Sequence, residues 1–449
     1  MKPLLTPWRK ASSAIAETPA GRRPRVYLLL ECGGGGSGRH VLDLYAGLVA
    51  AGWNVHLLLS SMRMDAGFAA EVASLPSTDV TFLRLRRSPH LSDLAEIRRI
   101  RKQLKLEGGA AVLHAHSTKA GIVAWALRGS AACRIFTPHA YRGMDPELKG
   151  YRAAAVRTAE KIFSHPFQSV IAVSQDEVGY ARTLGVRPGR IHLITNGVHA
   201  AAIQQRVSSG KVSRVPGKRM LGFLGRLVEQ KNPALFLRVV AECVRRGQDV
   251  HALIVGDGPL MPQLRQLARE LQVEARVEWL GMVPALDVLK NMDVLVHTSA
   301  YESLPYALLE AVAANVPVVA VENAGSRAIF GELLPQCIAP AGTPAALAQA
   351  ACNVLESDAV RAQYREAYTL IADRFSTQSM VEKTIIVYQD AWQAAAAQRH
   401  RQKAGWLLPQ LHLPPRPGGV LRRAFWRGGP PLDAPPAAAQ QSGAFQVTG

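Results

Sequence analysis

The apolar run Val26-Tyr27-Leu28-Leu29-Leu30, followed at once by Gly33-Gly34-Gly35-Gly36-Ser37-Gly38, is the stretch on which the fold turns. Five apolar residues ending in turn formers suit a buried strand better than a helix. Residues 40–51 then carry apolar side chains at helical spacing, stop at Gly52, and lead into a second apolar run at 55–59. Strand, glycine turn, helix and strand make a βαβ unit, and such a unit builds a parallel sheet. The alternation continues, with strands expected at 111–114, 134–136 and 169–173 and a helix at 119–127. Ser174 stands where an N-cap would start a helix running to Leu184.

The pattern breaks near Asn196-Gly197-Val198, and a polar stretch runs on to Lys218. It then restarts, with strands expected at 220–224, 251–255, 277–280, 293–297 and 316–321, and helices at 233–246, 262–271 and 304–314. Two runs of βα units predict an α/β protein of two doubly wound, Rossmann-like domains. The expected division is an extension at 1–23, an N-terminal domain at 24–198, a linker at 199–218, a C-terminal domain at 219–375, a helix at 376–400 and a basic, Pro-rich tail at 401–449. Both ends lack periodicity and read as disordered. Ligands bind at the carboxyl ends of strands in such sheets, so the two domains should share one cleft.

The 449 residues are 48% hydrophobic, enough for two cores. No apolar run approaches the roughly 18 residues of a membrane span. The five cysteines are scattered without a Cys-x-x-Cys pair, which argues against a disulfide scaffold or a zinc site and fits a reducing cytoplasm. The formal charge of +19 favours polyanions. Much of it lies between Arg84 and Lys105 and in the tail at Arg416, Arg422, Arg423 and Arg427. No nucleic-acid signature accompanies it, so nucleic acid is not an expected partner; a solvated face or an anionic surface explains the charge instead.

Three constellations carry chemistry. Gly33, Gly35 and Gly38 satisfy G-x-G-x-x-G, but the acidic residue a dinucleotide site wants at the tip of the second strand is missing, Asp65 coming too late. Gly34, Gly35, Gly36 and Ser37 remain either an anion-binding helix start or a structural turn. Gly225-Arg226 follows the first strand of the second domain, with Lys231 five residues on and Gly256-Asp257-Gly258-Pro259 after the next strand. A guanidinium and an ammonium at one strand end suit a diphosphate. Glu302 and Glu310 flank Ser303-Leu304-Pro305-Tyr306, with Glu310 expected two turns inside a helix. They read either as two grips on an extended ligand or as a helix cap beside a solvated carboxylate.

The ordered set Gly225-Arg226-Leu227 with Lys231-Asn232, Gly256 to Pro259, and Glu302 through Glu310 closely resembles retaining glycosyltransferase family 4, as does Asn196-Gly197-Val198 at the domain junction. The resemblance runs from about Arg25 to Phe375 and implies a GT-B fold. It implies that Arg226 and Lys231 hold the diphosphate of a UDP- or GDP-sugar, that Glu310 takes the ribose hydroxyls, and that Glu302 and the Leu304 and Tyr306 amides meet the donor sugar. It also implies that His139 reaches donor sugar and acceptor from the N-terminal domain, and that no metal or other cofactor is needed. The family often has glycine and phenylalanine where this chain has Ser303-Leu304. His114 and His116 are cleft candidates only, and a metal site from them is not expected.

A helix starting near Ser92-Asp93 would carry Arg98, Arg99, Arg101, Lys102 and Lys105 beside Leu94, Ile97, Ile100 and Leu104, a pattern suited to an anionic membrane surface. That points to a glycan or lipid-linked acceptor in cell-surface polysaccharide synthesis, at the inner face of a membrane. A nicotinamide oxidoreductase would explain the glycine loop but not Arg226, Lys231 and Glu310. A non-catalytic nucleotide or polyanion binder would explain the charge alone.

Overall fold

A computed structural model describes residues 24–106, 111–131, 133–145, 148–208, 217–339 and 342–406. The expected extension at 1–23, the core of the expected linker at 209–216, and the tail from 407 onward lie outside these residues.

The first sheet holds seven strands: β1 Arg25–Leu30, β2 Val55–Ser60, β3 Val80–Leu83, β4 Ala111–His116, β5 Cys133–Thr137, β6 Ser169–Ala172 and β7 Ile191–Leu193, in the order β3-β2-β1-β4-β5-β6-β7. The second holds six: β8 Arg219–Leu224, β9 Val250–Val255, β10 Val277–Gly281, β11 Val294–His297, β12 Val318–Val321 and β13 Ile338–Ala339, in the order β10-β9-β8-β11-β12-β13. Every pairing among these strands is parallel. Both sheets lie within one compact unit ending at His400.

Side-chain alternation explains why β1 reads as unbroken apolar sequence. Val26, Leu28 and Leu30 enter the core on one face, whereas Tyr27 and Leu29 enter a separate core on the other. Leu57 and Leu59 of β2 follow the first set and Leu58 the second. A parallel sheet covered on both faces demands this. In each sheet the chain order reverses beside the first strand, between β1 and β4 and between β8 and β11. Ligand crevices form at such reversals, and the glycine loop after β1 and the loops of Arg226 and Glu302 after β8 and β11 follow the strands that flank them.

Three expectations change. Residues 200–208, expected within the linker, form the helix Ala200–Ser208, whose Ile203 and Val207 pack into the C-terminal core. The true crossing is shorter and double. Val198 donates its N–H to Phe375 O at 2.8 Å and accepts from Thr377 N at 3.2 Å, so the two interdomain passages run side by side. A β-carbon at Gly197 would lie 2.4 Å from Ser376 O, so only glycine allows this approach. The helix expected at 376–400 spans Thr377–Trp406 and returns to the N-terminal domain, where Met380, Val381, Val387, Tyr388 and Trp392 join the core of Val26 and Leu44. The helix Asp93–Leu106 forms as expected, but Ile100 and Leu104 are buried in the N-terminal core and Ile97 packs against it. Its apolar stripe is spent on folding. What faces outward is Leu94, Arg98, Arg99, Lys102 and Lys105, with Leu91 82% and Leu106 80% exposed beside them.

Candidate active site

The loops after β1, β5, β8, β9 and β11 line one cleft, into which Gly34, Gly35, Gly36, Ser37, His139, Gly225, Arg226, Lys231, Gly256, Glu302, Leu304, Tyr306 and Glu310 all open. Gly258 does not line it. A β-carbon there would sit 2.4 Å from Leu227 O, so this glycine lets two loop backbones touch. Gly256 has φ +134°, and a β-carbon on it would fall 1.9 Å from Gly225 O. Glycine at 256 thus lets the loops after β8 and β9 pack backbone to backbone.

Lys231 and Glu302 are joined as an ion pair, their side chains 17% and 14% exposed. The loops that carry them are laced together. Ala300 donates its N–H to Gln230 O at 2.8 Å, Gln230 Nε2 donates to Tyr301 O at 3.0 Å, and Thr298 Oγ1 donates to Lys231 O at 2.9 Å. Asn232 takes left-handed φ (48°) and caps the helix Pro233–Arg245 by accepting from Leu235 N, which ends the turn bearing Lys231. His297 lies beneath the pair, lowered to about 4 by burial and by the Lys231 charge. Arg226 is exposed in the cleft.

Glu310 departs from expectation. The helix is Tyr306–Ala313, not 304–314, so Glu310 is its fifth residue and lies just over one turn inside. Burial pushes its carboxyl up to about 7, against the pull of Arg39, with Asp43 pushing it further up. Arg39 and Asp43, bonded to each other at 3.0 Å, belong to the N-terminal helix Gly35–Ala50 and line the opposite wall. Sequence reasoning missed both. The helix Tyr306–Ala313 has no side-chain cap, so its positive end opens on the cleft. Tyr306 is buried, its hydroxyl without a partner among the described residues. Its ring would be 3.3 Å from a β-carbon at Gly36, so the two domains meet there.

The glycine loop is partly helix, since Gly35 to Gly38 form the first turn of Gly35–Ala50. Asp65 lies too late to end β2, yet its carboxylate comes round to accept from Gly35 N at 3.3 Å while its other oxygen caps the helix Ala66–Ala73. A carboxylate at that amide opposes a phosphate in the same place. This counts against the nicotinamide reading and narrows the anion reading of Gly34 to Ser37.

His139 stands beside three further imidazoles. His116 Nδ1 lies 3.1 Å from His139 Nε2, and the His40 and His139 rings are 4.6 Å apart between centroids. His114 is bonded to Tyr388 Oη at 2.7 Å and to Thr137 Oγ1 at 2.8 Å. Burial and mutual repulsion hold His114, His116 and His139 well below the usual range, and burial lowers His40 to about 4, so all four are neutral at pH 7. Among the described residues, His40, His116 and His139 bring one ring nitrogen each within 4.8 Å of one another, the set a metal would use. No metal site is expected in the sequence from His114 and His116, and only His116 of that pair belongs to this set. His139 and Ala140 both take left-handed φ (50° and 74°), held there by Glu177, which accepts from Ala140 N at 2.6 Å and Val173 N at 3.0 Å. Backbone held in this region at a cleft is characteristic of functional turns.

Two family models divide the chain between them. "Glycosyl transferase 4-like domain" matches residues 35–197, and "Glycosyl transferases group 1" matches residues 205–369. The chain belongs to glycosyltransferase family 4. Among curated relatives, 2-deoxystreptamine glucosyltransferase of Streptomyces kanamyceticus is 31% identical over 35% of this chain and 42% of its own length. The chain thus spans less than half of that relative. Phosphatidyl-myo-inositol mannosyltransferase of Mycobacterium leprae is 27% identical over 79% of this chain and 93% of its own. The crystal structure of Anabaena HepE in complex with UDP and glucose superposes with a TM-score of 0.67 at 19% identity, covering 82% of this chain and all of HepE. That likeness establishes the GT-B fold. Within the family 4 frame, Ser303 in place of the frequent glycine lies beside Glu177, whose carboxyl it helps to keep ionised against the effect of burial.

Proposed function

We propose that the protein transfers a sugar from a UDP- or GDP-sugar to a glycan or lipid-linked acceptor, with retention of anomeric configuration. The observation that carries this is the convergence of Arg226, Lys231, Glu302, Glu310 and the uncapped end of Tyr306–Ala313 on one cleft wall, facing His139. Bond breaking leaves negative charge on the nucleotide diphosphate and positive charge on the sugar ring. Arg226, Lys231 and the helix dipole stabilise the first, fixed in place before reaction begins. Lys231 passes from Glu302 to the diphosphate as the donor enters, and Glu302 turns to the sugar hydroxyls. Glu310 accepts from the ribose hydroxyls. His139 reaches the reacting carbon's side of the sugar from across the cleft. Both cations come from the chain itself, so the reaction proceeds without a metal.

The mycobacterial relative, named for a phosphatidyl-myo-inositol acceptor, supports a lipid-linked acceptor; the reading adds a place in cell-surface polysaccharide synthesis at the cytoplasmic face of a membrane. Among the described residues no helix is long and apolar enough to cross a membrane, so contact would be peripheral. The exposed cations of Asp93–Leu106, with Leu91, Leu94 and Leu106 outside, supply the surface. A thermal-shift screen over nucleotide sugars tests class and donor together. Stabilisation by one nucleotide series, followed by nucleotide release with acceptor present, is expected; no shift with any of them overturns the proposal.

A further inference from the structure

Asn196 sits at the domain junction, buried, with each end of its amide bonded to a different domain. Its Nδ2 donates to Leu304 O at 2.7 Å, and its Oδ1 lies 3.0 Å from His40 Nδ1. A peptide carbonyl can only accept, so the amide orientation is fixed, with nitrogen toward Leu304 and oxygen toward His40. That oxygen can only accept in turn, so His40 carries its proton on Nδ1. Its Nε2 is left a bare lone pair beside the rings of His116 and His139.

We propose that Asn196 is a positioning residue that couples the donor loop Glu302–Leu304 to the histidine cluster by setting the tautomer of His40. Leu304 is two residues from Glu302, so displacement of the donor loop pulls on the same amide that orients His40. Ser303 of the same loop lies beside Glu177, whose carboxylate accepts from Ala140 N next to His139. The loop is thus bonded toward His40 through Leu304 and approaches the His139 turn at Ser303. Placing the donor and placing the imidazoles are one structural event. A ligand pose that shifts either by about 1 Å costs on the order of a hundredfold in rate.

This inference rests on the glycosyl-transfer reading, and its test separates the two. Long-range 15N–1H spectra of the full chain, with His40 assigned through His40→Gln, report the tautomer without any turnover. Nδ1–H is expected in the wild type and in Asn196→Asp, whose carboxylate still accepts from His40 but cannot donate to Leu304 O. A mixture of tautomers is expected in Asn196→Ala. Turnover is expected to fall ten- to a hundredfold in both variants, with the donor KM changed by less than about threefold, the pattern of a lost transition-state arrangement. Asn196→Asp retains the tautomer while losing the loop tie, so it remains informative if Asn196→Ala does not fold. An Nε2–H tautomer in the wild type overturns the inference, as does wild-type turnover in Asn196→Asp. A wild type that shows the Nδ1–H tautomer but transfers no sugar upholds the hydrogen-bond relay and overturns the glycosyl-transfer reading.

Discussion

Lys231 and Glu302 are 71 residues apart in the chain and form an ion pair in the cleft, both largely withdrawn from solvent. Each is therefore the other's counterion when the cleft is empty. Under the proposed function a diphosphate entering the cleft would compete with Glu302 for Lys231, and donor binding would free a carboxylate beside the sugar.

Lys231→Ala is expected to reduce kcat by two to three orders of magnitude, as is Arg226→Ala, because each removes a fixed cation from the developing diphosphate charge; about 10²–10³ is usual for such a donor. The two should differ in stability. Lys231→Ala leaves Glu302 withdrawn from solvent and unpaired, a cost of about 1–3 kcal/mol in urea unfolding, whereas exposed Arg226 costs little. Near-normal turnover in either variant would contradict the donor-site assignment.

Glu310, raised to about 7 by burial, should make donor affinity depend on pH. In the proposed function ribose hydroxyls donate to the ionised carboxylate. Binding of a nucleotide sugar, whose diphosphate charge is constant near neutrality, should strengthen about tenfold from pH 6 to pH 8. Glu310→Gln should flatten that dependence in calorimetry. The stability sign is opposite: the folded state keeps a proton that the unfolded chain releases near 4.5, so stability contributed at acid pH is lost as pH rises toward 7.

Gly197→Ala should destabilise the protein by about 2 kcal/mol or more, because its new methyl group meets Ser376 backbone at 2.4 Å where the two interdomain passages pair. A lowered Tm with loss of donor binding is the expected readout, and an unchanged Tm would place the junction elsewhere.

Removal of divalent metals by chelation should leave turnover unchanged if Arg226 and Lys231 carry the leaving-group charge. A loss restored by one added metal would instead assign the His40, His116 and His139 set to it.

Vesicles rich in anionic lipid should co-sediment with the protein, less so at high salt. The triple variant Arg98→Glu, Lys102→Glu, Lys105→Glu should abolish the effect while leaving the thermal shift with donor intact, since all three side chains point away from the core. Binding that ignores the variant would move the contact elsewhere.

Much of this architecture is local in origin. Apolar runs such as Val26 to Leu30 and Met220 to Leu224, spaced by amphipathic stretches, declare parallel strands and covering helices, and the sequence places Arg226, Lys231 and Glu302 in loops that follow strands and Glu310 inside the next helix. Short, partly exposed strands such as β3, β7 and β13 carry too few apolar residues to be recognised, and the helix Gly150–Ser164 buries only a few positions. The amphipathic helix Asp93–Leu106 was visible, but an apolar stripe has the same period whether it packs on a sheet or on lipid.

The amino-acid sequence by itself therefore determined two doubly wound domains, their junction at Asn196-Gly197-Val198, and the cationic and acidic residues that the fold brings to one cleft. Tertiary structure alone decided which strands are neighbours, that the final helix returns to the first domain, that Lys231 meets Glu302, and that His40, His114, His116 and His139 cluster. It also decided that Asn196 bridges His40, 156 residues away, and Leu304, 108 residues away. The physical reason is range. Backbone propensity and hydrophobic period are written over a few consecutive residues, whereas side-chain partners depend on sheet order and domain closure, set by burial summed over the whole core.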